Sequence, residues 1–102
     1  MNTKEILQKA RDLLTPETWG KKGQTYFGNK TCAGQAIYRA AGTEAIDQAL
    51  PPLRALAMTF GKNHANDTVV DFIDSIVWFN DAQETTLEMV HAKFDEAIAA
   101  LP

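Results

Sequence analysis

From Ile6 to Leu101 the apolar residues return every third or fourth position, and nowhere do they alternate over any length. That period belongs to helices that each bury one stripe, so the chain is predicted to pack helix on helix. Ile6, Leu7, Ala10, Leu13 and Leu14 form the first stripe. Asn2 is placed to cap it, with Glu5 as its capping-box partner, and Thr15-Pro16 ends it. Residues 15–30 break the pattern at Gly20, Gly23 and Gly28 but carry Trp19, Tyr26 and Phe27. The expectation is a loop pinned by its aromatics, with a short hairpin at residues 24–27 as one option. Thr31 to Ala41 is an Ala-rich helix through Cys32, Ala33, Ala36, Ile37 and Ala40, suited to a central place because small side chains let neighbours approach. Gly42 ends it and Thr43 caps the next, a short helix from Glu44 to Leu50.

Pro51-Pro52 is expected to interrupt that helix and start another, whose buried face is Leu53, Leu56, Ala57 and Phe60, with Gly61 closing it. After a polar loop at residues 62–66, Asp67 caps a helix running to about Phe79, and residues 80–84 make a tight connection. Thr85 with Glu88 then reads as a capping box for a last helix with Leu87, Val90, Phe94, Ala97, Ile98 and Leu101 on one side. The fold class is all-α: one domain over residues 1–102, of five or six short helices.

The counts narrow the classes. In 102 residues, hydrophobic residues are 45% and charged residues 23%, which is ordinary for a globular domain and too apolar for a disordered tail. One cysteine excludes a disulfide scaffold and fits a reducing compartment, so the expected location is the cytoplasm. No stretch approaches the roughly 18 apolar residues of a membrane span. The net charge of −3 gives no overall basic balance for nucleic acid.

The charge is unevenly placed. Residues 1–62 hold nine basic and five acidic side chains, whereas residues 63–102 hold one basic and eight acidic. At about 100° per residue, Asp67, Asp71, Asp74 and Asp81 fall within one arc of about 80° on the helix that starts near Asp67. Trp78 lies in that arc, apart from Val69, Val70, Phe72, Ile73, Ile76, Val77 and Phe79 on the opposite half. One reading is a solvated acidic face with the indole folded back on a neighbour. The other is a contact surface, with Trp78 as an aromatic anchor among charges that select a basic partner. That partner is an unidentified host or phage protein, or the basic half of a second copy.

Several spaced residues carry a resemblance. Trp19 is followed by Gly23, and Cys32-Ala33 by Ala36 and Ala40-Ala41-Gly42. Phe79-Asn80-Asp81 precedes Thr86, Val90 and Ala97-Ile98. The chain resembles a family of small uncharacterised proteins from actinobacteria and their phages. Its members carry a tryptophan-glycine loop, a Cys-Ala-x-Gly-Ala helix and a Trp-Asn-Asp turn before a Thr-capped final helix. Here the helix glycine, Gly34, stands one position early, and the tryptophan is displaced to Trp78, with Phe79 before Asn80. The resemblance implies an actinobacterial or phage origin and supports the fold. It brings over no catalytic residue.

Candidate chemistry is sparse. Cys32 opens a helix, where the dipole lowers a thiol pKa, and His64, His91 and Asp81 would complete a nucleophilic set for a thiol-dependent enzyme. The competing reading, a small packed residue in an Ala-rich helix, is preferred. No metal or cofactor is expected, since His64, His91 and Cys32 lack ligand spacing. Asn80-Asp81 reads as turn chemistry. Lys21, Lys22 and Lys30 beside Tyr26 and Phe27 are the elements of a weak single-strand nucleic-acid site, which the acidic half disfavours. The favoured expectation is an accessory protein, not an enzyme, that binds another protein through Asp67, Asp71, Asp74, Trp78 and Asp81.

Overall fold

The computed structural model describes residues 2–42, 46–60 and 69–102, and among them the fold is all-α. The helices are α1 (Thr3–Leu13), α2 (Lys22–Phe27), α3 (Ala33–Ala41), α4 (Ile46–Ala57, followed by a 3₁₀ turn at Met58–Phe60), α5 (Val69–Asp81) and α6 (Leu87–Ala99). The expected features at Thr43, Glu44, Gly61, the 62–66 loop, His64 and Asp67 lie outside the described residues.

Local signals act where the sequence places them. Asn2 and Glu5 form the reciprocal capping box of α1, with backbone-to-side-chain distances of 2.9 and 3.1 Å. Gly42 ends α3 in the left-handed conformation (φ 71°), which costs glycine nothing, and its N–H bonds back to the last turn. Ala33, Gly34, Ala36, Ile37 and Ala40 are all buried, so α3 packs closely against α1, α4 and α5. Helix α6 closes the core from the other side through Val90, Phe94 and Ala97, against α1 and α4. His91 bonds the Leu14 carbonyl at 2.7 Å, and Arg11 meets Asp95 at 2.7 Å, tying the same two helices together.

Five expectations are corrected. Residues 24–27 are helical, not a hairpin. The Lys21 and Lys22 N–H groups that open α2 find acceptors at Gln24 Oε1 (3.0 Å) and Asp81 Oδ1 (2.9 Å), the second 59 positions away. Such a distant cap leaves no local trace. Pro51-Pro52 does not split the chain: α4 runs through both. Proline's φ suits a helix, and what it forfeits is an N–H for the carbonyl four residues back. Ala49, Pro52, Leu53, Leu56 and Ala57 form one buried stripe across the junction. Burying two leucines is worth about 3–6 kcal/mol, comparable with the cost of an interior proline.

The third correction is at the end of α5, which continues through Asn80 and Asp81 instead of stopping at Phe79. The fourth is that the cap of α6 is Thr86, accepting from Met89 N–H at 3.2 Å, and not Thr85. Thr85 is buried, and its hydroxyl donates to the Phe79 carbonyl at 2.7 Å, so it serves the end of α5. Leu13, assigned to the first stripe, is exposed where α1 ends.

Candidate functional site

Helix α5 buries Phe72 and Ile76 and half-buries Ile73, Val77 and Phe79. Its opposite face is a ridge. Asp71, Asp74 and Trp78 are exposed there at spacings of three and four residues, which a 3.6-residue turn places side by side. Trp78 is 77% exposed, the most open of the exposed large hydrophobic residues among those described, ahead of Met58 at 52%. It does not fold back into the interior. Asp81 lies at the edge of the same arc but is half-buried, and its carboxylate accepts from Lys22 N–H and from Asn80 Nδ2–H at 3.1 Å.

A cleft lies along each flank of the ridge. The larger, about 790 Å³, runs between α5, the 3₁₀ turn and α6. Phe60 and Phe79 line it, their ring centroids 5.0 Å apart, and Asp74, Ser75 and Trp78 form one wall. Lys93 stands opposite, with its ammonium over the Phe60 ring at 5.8 Å, donating to the Thr59 carbonyl and paired with Glu96 at 3.3 Å. The smaller cleft, about 370 Å³, lies between α5, α2 and α3 and includes Cys32, Tyr38, Asp74 and Asp81. Asp74 borders both. Sequence reasoning missed Phe60, Phe79 and Lys93 as cleft residues. The available signal was Lys93, the lone basic residue after position 62.

Below the ridge, the three motifs of the family resemblance meet at one side chain. Asn80 is fully buried. Its Oδ1 accepts from Trp19 Nε1 at 2.8 Å and from Ala33 N–H at 3.0 Å, while its Nδ2 donates to the Gly20 carbonyl at 3.1 Å and to Asp81. One amide thereby pins the aromatic loop, satisfies an open donor in the first turn of α3 and fixes the end of α5. The loop is held into place by a short parallel bridge between Trp19 and Thr31. There a Cβ on Gly20 would fall 2.4 Å from Lys30 Cβ, so only glycine fits.

The remaining candidates separate. Cys32 is the N-cap of α3, its Sγ accepting from Gln35 N–H at 3.5 Å. Burial pushes its thiol up from the ordinary value, outweighing the backbone hydrogen bonds that pull it down. His91 is engaged at Leu14 and is not among the residues lining the Cys32 cleft. Lys21 donates to the Ala82 and Gln83 carbonyls, and Lys30 to the Glu17 carbonyl. Two of the three lysines offered for nucleic acid thus hold the chain's own backbone. Among the described residues no three His, Cys, Asp or Glu side chains group to hold a metal, and no helix is long and apolar enough to cross a membrane.

Compared with known proteins, residues 1–100 match the model of a family of unknown function, DUF6197. No curated protein and no solved structure matches the chain.

Proposed function

Because the chain belongs to the DUF6197 family, of unknown function, we propose a role from its own geometry: a small helical accessory protein that binds another protein through the α5 ridge. It acts in the cytoplasm of an actinobacterium or of a cell infected by its phage. The observation that carries the reading is Trp78, a large indole left 77% exposed beside Asp71 and Asp74. Tryptophan is enriched at the centres of protein interfaces, where it fills a pocket on the partner and loses its water. Exposed carboxylates beside it steer the encounter and reject acidic surfaces.

The test is affinity capture from host lysate with the native chain and with Trp78→Ala, each checked by circular dichroism. Removing an interface anchor costs about 2 kcal/mol or more, so capture falls about thirtyfold while the helical spectrum and melting midpoint stay put. Undiminished capture by Trp78→Ala would remove the ridge from consideration.

A further inference from the structure

We propose, resting on that reading, that the occupant of the larger cleft is an arginine-bearing peptide segment of the partner that also brings one apolar side chain. The cleft itself sets the apolar half. Its volume of about 790 Å³ lies within the range of ligand pockets, about 300–1,000 Å³, and Phe60 and Phe79 give it an aromatic lining. An aliphatic or aromatic side chain entering there meets rings and the alkyl stem of Lys93.

The charge on the walls sets the other half. Among the described residues, Asp74 and Lys93 are the two charged residues that line the cleft. Lys93 is already committed three ways, to Glu96, to the Thr59 carbonyl and to the face of Phe60. Among the described residues no cation pairs with Asp74. Through its described residues the cleft therefore offers an incoming segment one carboxylate and no uncommitted cation, and basic residues complement it. Trp78 lies one turn beyond Asp74 on the same wall. A planar guanidinium can lie on the indole while its N–H fork reaches the carboxylate, which a compact ammonium does less well. Arginine is thus favoured over lysine, and the neighbouring apolar residue enters the aromatic floor.

A library of random dodecapeptides displayed on phage, selected on the full chain, reads this directly. Enrichment of peptides that pair arginine with a nearby apolar residue is expected. That enrichment should disappear on Asp74→Asn and on Trp78→Ala, with synthetic winners losing at least tenfold in affinity when their arginine is changed to lysine. The inference is overturned by an absence of enrichment, by lysine serving as well as arginine, or by winners without basic residues. If such winners still require Trp78, the ridge remains a docking surface and only its stated chemistry fails. If binding ignores Trp78→Ala altogether, both readings fall. Sedimentation of the free chain supplies the last arm: a dimer dissolved by Trp78→Ala would place a second copy in the cleft and overturn the peptide assignment.

Discussion

The indole N–H of Trp19 and the side-chain oxygen of Asn80 lie 2.8 Å apart across 61 positions of sequence. The same oxygen takes the Ala33 N–H, so one acceptor holds two donors from separate parts of the chain. Asn80→Ala strands both donors and the Gly20 carbonyl inside the protein. Buried groups left without partners cost about 1–3 kcal/mol each, so a loss of about 3 kcal/mol or more is expected in urea unfolding. Asn80→Asp keeps the acceptor but turns an oxygen toward Gly20 O and Asp81. Its deficit should shrink in acid, where a protonated carboxyl donates again, and grow in alkali.

Thr85 and Thr86 differ in role although they are neighbours of one type. Thr86→Ala removes the α6 cap and should cost about 1 kcal/mol. Thr85→Val takes a buried hydroxyl from the Phe79 carbonyl and should cost about 1–3 kcal/mol, whereas Glu88→Ala should be close to neutral. A Glu88 variant as damaging as Thr86→Ala would restore the capping box that the sequence suggests. Chemical denaturation of the three variants decides it.

Cys32 should be slow to alkylate. Burial holds its proton on, so iodoacetamide should react with the native thiol more slowly than with the unfolded chain. The sign for stability follows from the same shift. The folded state keeps the thiol proton to higher pH than the unfolded state does, so this group's contribution is present below the ordinary thiol value of 9.0 and is lost as pH rises through the folded pKa. Cys32→Ser should abolish that alkaline decline, measured as the difference in melting midpoint across pH. A native thiol that outpaces the unfolded one would revive nucleophilic chemistry at this position.

Pro51 is exposed within α4, and its missing N–H leaves the carbonyl of residue 47 without its helical partner. Pro51→Ala should stabilise the protein by about 1–2 kcal/mol, the interior helix cost of proline less the entropy that proline removes from the unfolded chain. A fall in the melting midpoint would show that the proline is required where it stands.

Which parts of this molecule the sequence discloses follows from how far each signal reaches. Asn2 with Glu5 and Gly42 after α3 act within one turn, and both could be read directly. The ridge was legible for a similar reason: a 3.6-residue period puts Asp71, Asp74 and Trp78 on one face whatever surrounds them. The α2 helix was hidden because Asp81, far along the chain, caps it. Thr85 was misread because its partner is the Phe79 carbonyl, six residues back, rather than the helix ahead. The cleft was hidden because Phe60 and Phe79 look like ordinary core residues until packing leaves one side of each open. Asn80 satisfied the expectation of a structural role, but by joining three distant segments instead of shaping a turn.

That junction bears on synthesis. Trp19 and Ala33 leave the ribosome 61 and 47 residues ahead of the amide they bond. During that interval the aromatic loop and the first turn of α3 must wait with open donors. The nascent N-terminal half therefore cannot complete its own fold, and its final ordering is deferred until most of the polypeptide has been translated.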